Sequence, residues 1–276
     1  MKTDALNKIT ANLGKTDKMP ALFLGHGSPM NAIEENEFVA GFRQVAQDIP
    51  KPQAILCISA HWETRGTQVT AMENPTTIHD FGGFPPELFA VQYPAPGSPE
   101  LAKLTQSIVQ KADVHLDDKW GLDHGAWSVI KHMYPDADVP VVQMSLDYYQ
   151  SPQYHYELAK ELASLRERGV LIIGSGNMVH NLRKVSWAHL NDEYAHDWAL
   201  EAMNKMREFI LKDDHQSLIN YSAQGAAYNL AIPSPEHYLP LLYTLALKDD
   251  KDELSLFNDK HLAGALTMTS VKLQAT

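Results

Sequence analysis

The chain has 276 residues, with 23 basic and 34 acidic side chains and a formal net charge of −11. That charge argues against a nucleic-acid partner held through its phosphates, and no apolar run approaches the roughly 18 residues that cross a bilayer, so no membrane partner is expected. Thirteen histidines stand against one cysteine, Cys57, which excludes an intrachain disulfide, zinc fingers and iron–sulfur clusters and leaves nitrogen and oxygen donors for any transition metal.

The opening MKTDALNKITANLGKTDKMP is polar and lacks the apolar core of a signal peptide. Residues 1–19 are expected as a flexible arm, followed by one domain over 20–276. A lone cysteine inside an apolar run and the missing leader suggest a cytoplasmic protein. In chain order, the patterns predict a strand at 20–24, a helix near 35–48, and strands at 54–60 and 67–72. A long irregular stretch rich in proline and glycine covers 73–98, and such loops in compact domains are usually functional. A helix near 99–111 and a short strand near 113–116 follow. SVIKHMY reads as helical and 140–147 as a strand. PQYHYELAKELASLRERG is an amphipathic helix with a Ser-Pro start, stopping at Gly169. VLIIGSGN, at 170–177, is the most hydrophobic strand. Helices are expected near 191–211, 214–223 and over EHYLPLLYTLAL, with LAGALTMTSVKLQ as a closing strand. Alternating strands and helices predict a single-domain α/β fold, with a mostly parallel central sheet and helices on both faces.

Three histidines sit where an element meets a tight loop: His26 in GHGSP, His61 in SAHWE and His237 in PSPEHYLP. A histidine just past a buried strand points into the crevice where open α/β sheets bind ligands, and imidazole is a common ligand for borderline metals. His180, in GSGNMVHNL, lies beyond the VLII strand and reads as a further ligand or an acid–base group. In LDHGAW, Asp123 stands beside His124, either fixing its tautomer or capping the helix that follows. Glu236 and His237 are adjacent at a helix start, where side chains diverge by about 100°, so only one faces a given metal. A Glu ligand would complete a two-His-one-carboxylate iron site; a His ligand gives three nitrogens, suited to zinc as well as iron. The loop IHDFGGFPPELF is expected to fold over a flat ligand, and His79 and Asp123 are expected at the substrate. His115, His132, His155, His189, His196, His215 and His261 lack such context and are expected to be solvated or packing residues.

Taken in order, GHGSPM, SAHW, IHDFGGFP, YPAPGSP, DHGAW, GSGNMVHNL and PEHYLPLLY resemble the 4,5-DOPA extradiol dioxygenase family, within the class III, LigB-like extradiol ring-cleaving dioxygenases. The likeness runs from about Pro20 to the final strand. It implies a LigB-like catalytic domain over 20–276 that opens a catechol such as DOPA by 4,5-cleavage with O₂. One divalent metal per chain, Zn²⁺ or Fe²⁺, is implied on His26, His61 and His237. By the same resemblance His180 is the acid–base beside the metal, or a ligand in zinc-loaded forms, and His124 is a second catalytic histidine of the pocket. Wider class III enzymes place a carboxylate at the third ligand position, where this chain has His237. The competing readings are a three-His zinc hydrolase and a metal carrier, because the strand–GHGS segment also looks like that of tetrapyrrole chelatases. A monomer or small homo-oligomer is expected.

Overall fold

A computed structural model describes residues 13–190 and 192–275. Its strands are β1 (Ala21–Gly25), β2 (Ala54–Thr64), β3 (Thr67–Thr70), β4 (Thr76–Thr77), β5 (Val114–Asp117), β6 (Gly121–Leu122), β7 (Val141–Asp147), β8 (Val170–Gly176), β9 (Asp252–Phe257), β10 (His261–Leu262), β11 (Leu266–Thr267) and β12 (Ser270–Ala275). Its helices are α1 (Glu37–Gln47), α2 (Pro86–Phe89), α3 (Pro99–Ile108), α4 (His124–Met133), α5 (Pro152–Lys160), α6 (Asp197–Leu211), α7 (His215–Ile219), α8 (Ala226–Ala231) and α9 (Leu239–Ala246).

Eight strands form one sheet in the order β5-β3-β7-β2-β8-β1-β12-β9. The central run β7-β2-β8-β1 is parallel. Antiparallel pairing enters at β3–β7, β1–β12 and β12–β9. The expected single-domain α/β fold with a mostly parallel sheet is the one observed. Each central strand feeds two cores, because successive side chains point to opposite faces. Phe23, Leu56 and Ile172 pack on the face that carries α3, α5, α6 and α9. Leu22, Leu24, Ile55, Cys57 and Ile173 pack on the other, against α1 and α4. Burial on both faces is why these strands read as continuous apolar runs.

Several elements differ from expectation. β2 does not stop at residue 60 but runs through His61 to Thr64, and its register against β7 slips between Ile58 and Glu63. The closing segment is not one strand: it breaks into β10, β11 and β12. DELSLF forms β9, an edge strand whose polar residues hid it. Ala226–Ala231 is an unexpected short helix, and α5 gives way to a 3-10 turn, Ala163–Arg168, before Gly169 at φ 70°. Of the arm expected over 1–19, residues 1–12 lie outside the described residues. Residues 13–19 lie on the body: Leu13 and Met19 are buried, and the backbone N–H groups of Thr16 and Met19 each donate at 2.8 Å to Glu167 and Arg166 carbonyls.

The segment is held by a buried arginine. Arg166 donates to both carboxylate oxygens of Asp252 at 2.7 and 2.8 Å, to the Leu247 carbonyl at 2.8 Å and to the Met19 carbonyl at 2.7 Å. One guanidinium thus joins the start of β1, the exit of α9 and the start of β9, using the fork geometry that suits carboxylates. Burial pushes the Asp252 carboxyl up, but the hydrogen bonds from Arg166 and Lys18 outweigh it and hold it down at about 2. A carboxylate whose folded pKa is depressed stabilises the fold above its unfolded value, about 3.9, and loses that contribution as pH falls toward the folded value. Asp252→Asn is expected to cost about 3–5 kcal/mol at neutral pH, since it strands a buried guanidinium. Denaturant titrations at pH 7, 4 and 2 check this: the gap between wild type and variant should narrow between pH 4 and 2, and a gap that stays constant would contradict the clamp.

Candidate metal centre

β1 ends at Gly25, and the next residue, His26, continues the pairing by donating its backbone N–H to Gly176 O at 3.1 Å. Its ring is thereby fixed, 1% exposed, at the carboxyl end of the parallel strands. The register slip in β2 lifts Ser59–Trp62 out of the ladder with β7 and brings His61 over the same end, as bulges beside active sites do. His237 arrives on the turn into α9. Its carbonyl accepts from Asn177 N at 2.8 Å and lies so close to Gly176 that a Cβ there would overlap it. His180 follows β8 and stacks face to face on His237, with centroids 3.5 Å apart and planes 6° apart. His124 opens α4, one residue after the cap Asp123.

The rings of His26, His61 and His237 converge: their centroid separations are 5.0, 5.3 and 4.9 Å. The Nε2 atoms of His26 and His61 are 3.1 Å apart. Nitrogens sharing a metal at about 2.0–2.1 Å stand about 3.0–3.4 Å from one another, so this pair already spans one edge of a coordination shell. His26, His61 and His124 bring ligand nitrogens within 4.8 Å of one another, and His180, Glu236 and His237 form a second such group beside them.

In all three converging rings, Nδ1 has its own partner. Ser175 Oγ donates to the Gly125 carbonyl, so toward His26 Nδ1, at 3.1 Å, it can only accept. His26 Nδ1 therefore carries the proton, and Nε2 keeps its lone pair. His61 Nδ1 lies 3.4 Å from Asp80 Oδ2. His237 Nδ1 lies 3.3 Å from Glu236 Oε1, which also accepts from Ser234 Oγ at 2.9 Å. Partners of this kind fix the tautomer and raise the basicity of metal-binding histidines. Asp80 has a second neighbour, His124. Its Oδ1 accepts from the His124 backbone N at 2.9 Å, and its Oδ2 lies 3.0 Å from His124 Nδ1, at ion-pair distance but poorly aligned for a hydrogen bond. Burial pushes the Asp80 carboxyl up, but hydrogen bonding and charge from His124 and His61 outweigh that and leave it below its usual value.

Electrostatics keeps the imidazoles neutral. Burial first, and then neighbouring histidines, holds His26 and His237 well below the ordinary histidine value. Burial and His124 bring His61 to about 3. Burial brings His180 to about 4 against the opposing charge of Glu236. At neutral pH these nitrogens offer lone pairs, as divalent-metal ligands must. The donor set therefore fits one divalent cation of borderline character.

Above the histidines opens a cavity of about 1210 Å³, bounded by the loop after β1, by Asp80, Phe81 and Phe84, and by Leu182, Val185, Trp187 and Leu190. Of the residues expected to act there, His26, His61, His124, His180 and His237 all line it, and two do not. His79 turns away: its Nε2 lies 2.9 Å from the Val91 carbonyl and its ring packs on Phe81 and Trp127. Its neighbour Asp80 takes the inward direction. Asp123 is fully buried. It accepts from Ser59 Oγ at 2.6 Å and Gln143 Nε2 at 2.7 Å and caps α4. It braces the floor of the site and does not line the cavity. Ser175 was not singled out from sequence; its only signal was a small polar residue between the glycines of GSG.

Residues 20–269 match the family model for the catalytic LigB subunit of aromatic ring-opening dioxygenase. A 4,5-DOPA dioxygenase extradiol of Escherichia coli strain K12 is 44% identical over 260 residues, covering 93% of this chain and 95% of that one. A protein of the same name from Beta vulgaris is 35% identical and covers 96% of this chain and 100% of that one. The crystal structure of an uncharacterized protein from Escherichia coli K12 superposes with a TM-score of 0.80 at 41% identity, covering 93% of this chain and 100% of that one.

The approach of α4 to His61 requires Gly125. A Cβ there would overlap Ser59 Oγ and come within 2.9 Å of the His61 ring. Gly125→Ala is expected to cost about 1–3 kcal/mol through overpacking and to weaken zinc binding by displacing His61. Thermal unfolding together with zinc titration checks both effects; unchanged zinc affinity would show that this contact does not position His61.

Proposed function

The chain belongs to the LigB family of aromatic ring-opening dioxygenases, and on that premise we propose that it is an extradiol enzyme that opens a catechol beside its diol with O₂, at one ferrous ion held by His26, His61 and His237. The observation that carries this reading is the convergence of three neutral imidazoles, each with Nδ1 engaged elsewhere. Bound there, ferrous iron supplies the electron-transfer chemistry that a catechol needs to react with O₂, which zinc lacks. The protein residues do the rest. His26 and His237 are buried, and His61 nearly so, which leaves the substrate to enter from the side of the cavity. His180, neutral and beside His237, takes a phenolic proton on a ring nitrogen and later returns one to the opened product. A ring nitrogen cannot hold a metal and move a proton at once, so His180 acts as a free base in the iron form. His124, with Asp80 Oδ2 3.0 Å from its Nδ1, is a second imidazole facing the ring. Both atoms of O₂ end in the product, one in an aldehyde and one in a carboxylate, a muconate semialdehyde. With DOPA the product can cyclise to a yellow betalamic-acid-like pigment.

Glu236 acts through His237 rather than on the metal in this reading. Glu236→Gln should keep most of the bound metal, and His237→Ala should lose it, as measured by metal analysis after dialysis. The reverse result would make Glu236 the ligand. His180→Ala should bind catechol normally but open it about 10²–10⁴-fold more slowly. Wild-type protein reconstituted anaerobically with Fe(II) should consume one O₂ per catechol once air is admitted. Iron-loaded protein that binds catechols without O₂ uptake would overturn the assignment and favour a hydrolase.

A further inference from the structure

One wall of the cavity is out of character for an acidic protein. Trp187, Leu182 and Leu190 are 79%, 63% and 42% exposed, and all three line the same cavity as the histidines. They are not on a loose segment. Asn181 N–H donates to Ala265 O at 3.1 Å, Ser186 N–H to Ala263 O at 2.8 Å and His196 N–H to Gly264 O at 2.9 Å. The backbone is pinned, and the apolar side chains are held out toward the cavity. Phe81 and Phe84 line the same cavity, in edge-to-face contact with centroids 5.4 Å apart.

Size and charge point the same way. A cavity of about 1210 Å³ exceeds the roughly 300–1,000 Å³ of sites for drug-sized ligands, and one catechol ring with a short side chain leaves much of it empty. Among the described residues, no lysine or arginine lines it, while Glu34, Glu35 and Glu37 stand at its rim. A substrate carboxylate would find no cationic partner there. Two of the rim glutamates are already paired, Glu35 with Arg43 at 2.6 Å and Glu37 with Lys260 at 2.8 Å, which reduces the pull of the rim on a cation.

We infer that the preferred substrate is a catechol bearing a bulky, uncharged aromatic or apolar substituent, which lies along the Leu182–Trp187–Leu190 wall while the diol reaches the histidines. This rests on the ring-cleavage reading and specifies its substrate class. Trp187 is the specificity-determining residue: among the described residues its indole is left 79% exposed, and the substituent covers it. Exposed apolar surface of this kind marks a surface completed by a ligand or partner.

The test compares catechol, 4-phenylcatechol, DOPA and dopamine. Binding is titrated on zinc-loaded protein by quenching of tryptophan fluorescence, and turnover is followed as O₂ uptake on iron-loaded protein. The expected result is 4-phenylcatechol binding about 10–100-fold more tightly than catechol or DOPA, the scale of burying one aromatic ring. Trp187→Ala should collapse the ratio of 4-phenylcatechol to catechol affinities by about 10-fold, and Leu182→Ala should lower it less. DOPA or dopamine binding as tightly as 4-phenylcatechol would overturn the inference, because the rim and not the wall would then select. So would an unchanged ratio in Trp187→Ala, or sedimentation showing a dimer that this variant dissociates, since the wall would then be an interface between copies. Absence of O₂ uptake with every catechol would defeat the ring-cleavage reading separately, with the binding ratios still deciding the substrate class.

Discussion

Several imidazoles packed into one cavity floor can coexist only if they do not share positive charge. Two cations 4 Å apart repel by about 4 kcal/mol even at an effective dielectric of 20, and the rings of His61 and His124 are 3.9 Å apart between centroids. Burial and mutual repulsion therefore hold His26, His61, His180 and His237 neutral. Neutrality alone does not aim the lone pairs. The aiming comes from three acceptors, Ser175, Asp80 and Glu236, one beside each Nδ1. The metal-ready cluster depends on both, and a cation placed there relieves the lone-pair crowding between His26 and His61 Nε2.

The fold brings this cluster together from distant parts of the chain. The parallel strands β1, β2 and β8 lie side by side, and each delivers a histidine toward the same end of the sheet: His26 just past β1, His61 from the irregular stretch of β2, and His180 four residues past β8. His237 comes from the other side, on the turn into α9, and fits because Gly176 has no Cβ to oppose its carbonyl. Asp123 anchors the floor of the site. It caps α4 and ties Ser59 to Gln143, so the bulge that presents His61 is anchored to both α4 and β7. Burial and the charge of Asp80 push its carboxyl up, and the hydrogen bonds from Ser59 and Gln143 oppose them. The Arg166–Asp252 clamp performs the matching task at the opposite end of β1.

The architecture was legible because burial on both faces of β1, β2, β7 and β8 writes itself as apolar runs bounded by glycine and proline. The histidines at element ends were legible for the same reason: position relative to a buried strand fixes direction. What failed were choices between neighbours. His79 and Asp80 point opposite ways in the loop, and residue type favoured the histidine when the aspartate faces inward. Asp123 beside His124 satisfied a helix cap and a tautomer partner equally well in sequence; it is the cap, and the carboxylate beside the His124 ring is that of Asp80, 44 residues away. Ser175 and the apolar wall at 182–190 were invisible, since a serine between glycines and scattered leucines in a polar stretch gain meaning only from what they face. The edge strand Asp252–Phe257 was missed because its exposed face carries the polar residues that normally signal a loop.

The most direct test of this account is an anomalous-diffraction measurement on metal-loaded crystals at the absorption edge of the bound ion. The account predicts one peak per chain, about 2.0–2.2 Å from Nε2 of His26, His61 and His237, with the carboxylate of Glu236 on the far side of the His237 ring. A peak coordinated by Glu236, or centred on His124 and Asp80, would contradict it.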